Sequence, residues 1–284
     1  MEPVVNTSVQ INDDVSIGGT SPLLLIAGPC VIEDRDTCMQ TAEQLIEITD
    51  RLKIGYVFKA SFDKANRSSI ESYRGPGLEE GLEILGKVRE SFSIPVTSDI
   101  HLPSQAEPAS EVLDLIQIPA FLCRQTDLLI SAAVTGKPLN VKKGQFMSPA
   151  DVYNIADKIR SADNYRICIT ERGTCFGYNR LVNDFTGIPA VRSKGIPLIF
   201  DASHSVQEPG ALGDSSGGSW EQSPLLARAA AGAGIDGLFI ETHPDPEHAK
   251  CDAGTMVPLD RIEELLKPVI EIHTVVQKWD ISPS

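Results

Sequence analysis

The sequence predicts one α/β catalytic domain, a (β/α)8 TIM barrel, and two observations support it. Eight short apolar runs rich in β-branched residues occur along the 284-residue chain, and amphipathic helical segments separate them. Short continuous apolar runs are typical of strands buried on both faces of a parallel sheet. Strict alternation of eight strands with helices favours a closed barrel. An open doubly wound sheet with extra strands is the alternative, because it has the same periodicity.

The predicted strands are residues 23–28, 56–60, 95–99, 115–119, 139–143, 166–171, 197–201 and 237–242. Between them, apolar residues from Leu78 to Phe92 recur at spacings of three and four, as on one face of a helix. Ser148 and Pro149 predict a helix start, since they fit the N-cap and first helical positions. The last helix is predicted over residues 259–279, with a kink at Pro268. The barrel is expected to span residues 23–284, after an N-terminal extension of residues 1–22.

The amino-acid composition argues against several classes of function. Hydrophobic residues make up 42% of the chain, enough for a large core, and the formal net charge is -14. Such acidity argues against a nucleic-acid or anionic-membrane partner, both of which require a basic surface. Six scattered cysteines without a CxxC motif are too few for a disulfide scaffold and are typical of a reducing compartment. With no apparent secretory signal, a cytoplasmic location is expected.

Charged and polar residues follow nearly every predicted strand. In order along the chain they are Cys30; Lys59, Ser61 and Lys64; Asp99 and His101; Lys142 and Lys143; Glu171 and Arg172; Asp201 and His204; and Glu241 and His243. Active sites of (β/α)8 barrels lie at the carboxyl ends of the strands, so these side chains are expected to share one mouth. Several cations at these strand ends, in an acidic chain, predict a substrate with several phosphate or carboxylate groups.

Four residues of mixed chemistry predict a divalent metal site. Cys30, His204, Glu241 and Asp252 follow strands one, seven and eight, which are neighbours only in a closed barrel. A thiolate, an imidazole and two carboxylates suit iron, zinc, manganese or cobalt better than calcium or magnesium. Cys251 and His243 are rival ligands. Alternatively, Cys30 is a buried apolar residue and His204 hydrogen-bonds substrate.

Several motifs resemble one enzyme family over essentially the whole barrel. The most specific is FKASFDKANRSS at residues 58–69, followed by YRGPG at 73–77. Further matches are IPAFLCRQTD at 118–127, NVKK at 140–143, ERG at 171–173 and ETHPDP at 241–246. These motifs resemble the 3-deoxy-D-manno-octulosonate-8-phosphate (KDO-8-phosphate) synthases. The resemblance implies condensation of phosphoenolpyruvate with D-arabinose 5-phosphate and water, which yields the octulosonate phosphate of lipopolysaccharide biosynthesis and inorganic phosphate.

The resemblance also implies roles for individual residues. It assigns catalytic roles to Lys64, Asn66, His204 and Asp252. It implies substrate binding by Lys59, Ser61, Lys64, Lys142, Gln145 and Arg172, chiefly towards phosphoenolpyruvate, and by Asn66, Arg67 and Ser68 towards the aldose phosphate. Arg124 is expected to complete the aldose phosphate site of a neighbouring subunit in a homotetramer. Metal-free relatives have asparagine where Cys30 stands, so the resemblance implies the metal-dependent type.

Three other functions stay open at the level of sequence. The first is the related 3-deoxy-arabino-heptulosonate-7-phosphate synthase, which uses erythrose 4-phosphate. The second is a Schiff-base aldolase that uses Lys59 or Lys142. The third is a non-catalytic barrel that binds sugar phosphates. Separately, the glycine- and serine-rich residues 210–218 predict a loop that closes over the mouth.

Overall fold

The computed structural model describes residues 7–67, 69–175, 180–208 and 217–280 of the chain. Eight parallel strands form its centre, each followed by a helix. The strands are β1 Leu24–Gly28, β2 Gly55–Lys59, β3 Val96–Asp99, β4 Leu115–Ile118, β5 Leu139–Lys142, β6 Ile167–Glu171, β7 Leu198–Asp201 and β8 Gly237–His243. The helices are α1 Arg35–Leu52, α2 Leu78–Phe92, α3 Ala106–Val112, α4 Thr126–Val134, α5 Val152–Arg160, α6 Gly187–Arg192, α7 Ser223–Gly232 and α8 Ile262–Asp280.

The sheet closes on itself. Each strand pairs in parallel with its sequence neighbours, and β8 pairs with both β7 and β1. This closure confirms the predicted barrel and excludes the open sheet. Every predicted strand is present, and its ends agree with the prediction to within one residue.

The alternation of side chains along each strand explains why the runs are mostly apolar on both faces. In β1, Leu25 and Ala27 face the helices, whereas Leu24 and Ile26 face the barrel interior. Because helices cover the outside and other strands cover the inside, both faces are buried and both favour apolar residues. The buried polar side chains of Gln117, Asn140 and Thr170 are accommodated because they hydrogen-bond to one another. Only the carboxyl ends of the strands are free to carry charged groups.

A short hairpin closes the opposite end of the barrel. Its strands Val9–Gln10 and Ser16–Ile17 pair antiparallel. Val9, Ile11 and Ile17 pack against the interior residues of the strands. The interior is therefore sealed at this end. The division of the chain into residues 1–22 and 23–284 remains a prediction.

Other predicted features have mixed outcomes. The helix after Ser148 begins with a 3-10 turn, Pro149–Asp151, and α8 continues through Pro268 as one helix. Most of the predicted closing loop lies outside the described residues, although Gly217–Gly218 pairs with Gln207–Glu208. Among the described residues, no helix combines the length and apolar character needed to cross a bilayer.

Candidate active site

A cavity of about 900 Å³ opens at the carboxyl ends of the strands. The predicted site residues that line it are Lys59, Lys64, Asn66, Arg67, Lys142, Gln145, Arg172, His204, Glu241 and Asp252. They come from loops that are far apart in sequence, and closure of the barrel brings them to one mouth. Gly28 assists this convergence, because a Cβ atom there would collide with the carbonyl oxygen of Lys59 on the adjacent strand.

Lys59 and Glu241 form a buried ion pair on the cavity floor. The Lys59 ammonium lies 2.5 Å from Glu241 Oε1 and donates to the Cys30 carbonyl at 2.8 Å. Burial lowers the pKa of Lys59 to about 8, although the negative charge of Glu241 acts to raise it. Burial alone would raise the pKa of Glu241, but the charges of Lys59 and Lys64 outweigh it and hold that pKa well below its usual range. Glu241 is therefore an anion at neutral pH.

Asp201 orients His204. Its Oδ2 lies 2.7 Å from His204 Nδ1 and accepts from the Lys142 ammonium at 2.7 Å. Burial opposes the charge on Asp201, but His204 and Lys142 together lower its pKa. A carboxylate that holds one ring nitrogen fixes the direction of the other. His204 Nε2 is thereby aimed at Glu241 and Asp252.

The residues present fit a divalent metal ion. His204 Nε2 lies 3.7 Å from Glu241 Oε2 and 3.9 Å from Asp252 Oδ2. Glu241 Oε2 is buried and has no hydrogen-bond partner, which is costly unless something else satisfies it. Ligand atoms of His204, Glu241 and Asp252 lie within 4.8 Å of one another. Imidazole and carboxylate donors at this spacing, with the second imidazole nitrogen held by a carboxylate, are typical of transition-metal sites.

Cys30 lies at the same place but is joined to Cys251 by a disulfide bond. Its Sγ is 3.5 Å from Asp252 Oδ2, so it belongs to the predicted ligand cluster. Both cysteines are buried. From the sequence, Cys251 was expected only as a rival ligand, and no bond between it and Cys30 was predicted. Distant cysteines cannot be paired from spacing alone, because the fold brings them together. Since metal ligation requires a free thiolate, Cys30 fits the metal only when this pair is reduced.

Two arginines have donors available to an anion. Arg172 donates to Gln145 Oε1 at 2.9 Å and to Gln207 Oε1 at 2.8 Å, while its buried Nε has no hydrogen-bond partner. Arg67 donates through Nε to the Tyr73 carbonyl at 3.2 Å, and its buried Nη2 has no hydrogen-bond partner. Guanidinium groups with unused donors in a cavity suit phosphate and carboxylate groups. Burial lowers the pKa of Arg172, but this group keeps its charge at neutral pH.

The chain is similar to known proteins over most of its length. The model of the DAHP synthetase I family matches residues 6–278. This chain is a member of the DAHP synthetase I family. Its similar relatives include the 2-dehydro-3-deoxyphosphooctonate aldolase of Desulfatibacillum aliphaticivorans, 53% identical over 95% of this chain and 98% of the relative. The protein of the same name from Desulfosudis oleivorans is 54% identical over 94% and 96% of the two chains. The family resemblance inferred from the sequence motifs is thereby confirmed.

Two residues predicted to bind substrate, Ser61 and Arg124, do not line this cavity, and a third, Ser68, cannot be placed. Ser61 is buried beneath the floor, where its Oγ donates to Asp99 Oδ1 at 2.5 Å. Arg124 has an exposed side chain and is absent from the lining of its own subunit's cavity. Ser68 lies outside the described residues. The structure therefore brings neither Ser61 nor Arg124 to the cavity surface of one subunit.

Part of the site of this family member could not be predicted from the sequence. Gln207 lines the cavity and donates to Asp252 Oδ2 at 3.3 Å, besides accepting from Arg172. An uncharged residue three positions after His204 carries no signal in a single sequence. Asp99 and His101 were noted as strand-end residues but were given no role. They form a pair 3.1 Å apart and both line the cavity.

Proposed function

We propose that the protein condenses phosphoenolpyruvate with D-arabinose 5-phosphate and water, giving 3-deoxy-D-manno-octulosonate 8-phosphate and inorganic phosphate. The observation that carries this proposal is the pair of arginines, Arg67 and Arg172, with unused buried donors in one cavity. Two anion sites in one mouth match two phosphorylated substrates. The names of the curated relatives support the same reaction. The product would serve lipopolysaccharide biosynthesis.

The cavity residues divide between the substrates. Lys64, Lys142 and Arg172, with Gln145, would hold the carboxylate and phosphate of phosphoenolpyruvate. Arg67 would bind the phosphate of the aldose at the outer wall, where Asn66 is also exposed to the cavity. Holding both reactants in one orientation supplies much of the rate enhancement, because it removes the entropic cost of their encounter.

The bonds that change are defined by the substrates. C3 of phosphoenolpyruvate attacks the aldehyde carbon, and the aldehyde oxygen takes a proton. Water adds at C2, where positive charge develops, and the C2–O bond to phosphate breaks to leave a ketone. The two protons of that water end on the new hydroxyl group and on inorganic phosphate. Lys64 supplies positive charge beside the phosphoenolpyruvate carboxylate, and His204 and Asp252 face a common point where a water molecule can be oriented. Several of the cavity's charged side chains are buried at its base, and the low local dielectric strengthens their interactions.

The proposal includes a divalent metal ion, iron, zinc, manganese or cobalt, held by Cys30, His204, Glu241 and Asp252. When bound, such an ion supplies a Lewis acid and a concentrated positive charge. The unpartnered Glu241 Oε2 and the orientation of His204 by Asp201 support this part. A reducing, cytoplasmic location is proposed with it, because that environment keeps Cys30 available as a thiol.

We also propose a homotetramer in which Arg124 contributes to a neighbouring mouth. Its side chain is exposed, and Phe121, three residues before it, and Phe146 are about half exposed, at 48% and 56%. Exposed aromatic side chains next to a site favour burial against another subunit. Arg124→Ala should raise the aldose KM without changing the mass measured by light scattering.

Phosphate release from phosphoenolpyruvate tests the reaction. Arabinose 5-phosphate should support release, and erythrose 4-phosphate should support it poorly. Chelator should abolish activity, and a divalent ion should restore it. If the protein stays active after chelation and elemental analysis shows that it lacks metal, the proposed metal site is wrong. The proposed condensation would still stand.

The other functions make different predictions. The family description names the heptulosonate synthase, so the family match does not separate the two aldoses, whereas the names of the curated relatives favour the octulosonate reaction. A Schiff-base aldolase would be trapped on Lys59 or Lys142 by borohydride with pyruvate. Both lysines contact buried carboxylates, and we expect no such adduct. A non-catalytic barrel would show binding without turnover.

A further inference from the structure

The segment between β8 and the metal cluster is anchored outside the cavity. Residues 244–251 leave the end of β8 and lead directly to Asp252. Within this segment, the backbone N–H of Lys250 donates to Glu33 Oε1 at 2.8 Å. Glu33 belongs to the loop between β1 and α1, so this bond joins two loops that are far apart in sequence. It lies one residue before Cys251 and two before Asp252.

Glu33 is held in a mostly buried position. Its side chain is 10% exposed, and the same Oε1 lies 3.8 Å from His243 Nε2. His243 Nδ1 accepts from the Asp245 backbone N–H at 3.0 Å, so a neutral ring carries its proton on Nε2. That Nε2 is buried and has no hydrogen-bond partner. The Glu33 carboxylate lies 3.8 Å from this nitrogen and can attract its proton. This attraction helps to hold the Glu33 carboxylate in place.

A third loop joins the same anchor. The Tyr73 hydroxyl donates to the carbonyl of Ile32, next to Glu33, at 3.0 Å. The Lys250 ammonium lies 4.6 Å from the centroid of the Tyr73 ring, within the range of a cation–π contact. The Tyr73 carbonyl in turn accepts from Arg67. Three loops of the mouth thus meet around Glu33 and Lys250.

The anchored segment sets the geometry of Asp252. This residue adopts a left-handed backbone conformation with φ of 47°, which is uncommon for a residue other than glycine. Its carboxylate lies 3.8 Å from Arg67 Nη1, 3.9 Å from His204 Nε2 and 3.5 Å from Cys30 Sγ. A small displacement of the backbone at residue 250 would alter all three distances.

We propose that Glu33 is a positioning residue for the metal cluster. It touches neither substrate nor metal, but its carboxylate fixes the backbone at Lys250 and hence the position of Asp252. This inference rests on the metal site of the proposed function. Groups that orient a metal ligand from outside the ligand shell typically change metal affinity by about 10- to 100-fold when they are removed.

Cobalt titration of the reduced, metal-free protein tests the proposal without requiring turnover. The probe is Co²⁺ alone, and the thiolate charge-transfer band reports ligation by Cys30. Glu33→Ala removes the acceptor for the Lys250 N–H, and we expect the Kd for Co²⁺ to rise about 10-fold or more. Glu33→Gln keeps an acceptor oxygen in the same place, and we expect its Kd to stay within about 3-fold of the wild type.

Asp34→Ala is the matched control. Asp34 is the next residue, and its carboxylate also accepts from a backbone N–H, that of Thr37 at 2.7 Å, but this bond caps α1. We expect a lower Tm and an unchanged Kd for Co²⁺. Equal affinities for Glu33→Ala and the wild type would overturn the proposal, and so would a loss in Asp34→Ala that matches the loss in Glu33→Ala.

Failure of the underlying metal site has a distinct signature. A reduced wild-type protein without a thiolate–cobalt band would overturn both the metal site and the role of Glu33. Phosphate release measured on the same preparation would still test the condensation separately.

Discussion

Arg67 offers a direct test of how the cavity is divided between the two substrates. We predict that Arg67→Ala raises the KM for arabinose 5-phosphate far more than the KM for phosphoenolpyruvate. Arg67 is largely buried, its Nε is used by the Tyr73 carbonyl, and its Nη1 lies 3.8 Å from Asp252. Nη2 has no hydrogen-bond partner, so it is the donor available to the aldose phosphate.

The expected increase in the KM for arabinose 5-phosphate follows from the loss of that one donor. A hydrogen bond to a charged group contributes about 1.5–3 kcal/mol. Since each 1.36 kcal/mol corresponds to a factor of ten, the aldose KM should rise by about 10- to 150-fold. The phosphoenolpyruvate KM should change by less than about 3-fold, because Arg172 and Lys142 are unaltered.

The assay measures initial rates of phosphate release while one substrate is varied and the other is held saturating. Arg74→Ala is the control, because Arg74 lies in the same loop but is about half exposed and paired with Asp63. Exposed pairs contribute about 0–1 kcal/mol, so both KM values should stay close to the wild type. Equal increases in both KM values for Arg67→Ala, or no increase, would refute the assignment.

Three further predictions concern pH, oxidation and stability. Because burial lowers the pKa of Lys59 to about 8, its ammonium loses its proton as the pH rises through that value, so kcat/KM should fall about tenfold per pH unit above it. Lys59→Arg should move this limb to higher pH, and an unchanged limb would contradict the assignment. Diamide, which accepts two electrons and two protons as two thiols form a disulfide, should abolish metal uptake by the wild type. Cys251→Ser should retain uptake after diamide, as measured by elemental analysis, because Cys30 then lacks its partner; equal loss in both proteins would disagree. Asp236→Ala should lower the free energy of unfolding by about 3–5 kcal/mol, because buried Asp236 pairs with Arg192 and accepts from the Leu198 N–H. Urea denaturation measures this loss, and a change below about 1 kcal/mol would contradict the prediction.

Strand positions could be predicted because burial on both faces leaves a plain signature. Residues such as Leu24 and Leu25 face opposite sides of the sheet, yet both are fully buried, so the run is apolar without interruption. The carboxyl ends of the strands could also be predicted, because charged residues appear in the sequence where burial on both faces of the sheet ends. Helix ends carried weaker signals, and the helix after Ser148 begins with a 3-10 turn that the sequence pattern did not reveal.

The contacts within the site were largely beyond sequence reasoning. That Lys59 pairs with Glu241, and Lys142 with Asp201, depends on distances across the barrel that spacing does not encode. The bond between Cys30 and Cys251 was missed for the same reason. Gln207 was missed because a neutral amide gives no charge signal. The sequence therefore predicted which residue types reach the mouth, and the fold determined which of them meet.

A competition between two aldoses tests the central claim most directly. Purified, reduced, metal-loaded protein would receive phosphoenolpyruvate with equal concentrations of arabinose 5-phosphate and erythrose 4-phosphate, and mass spectrometry would identify the phosphorylated products. We expect the eight-carbon product to predominate and to form in step with inorganic phosphate. A predominant seven-carbon product, or the absence of any condensed product, would contradict it.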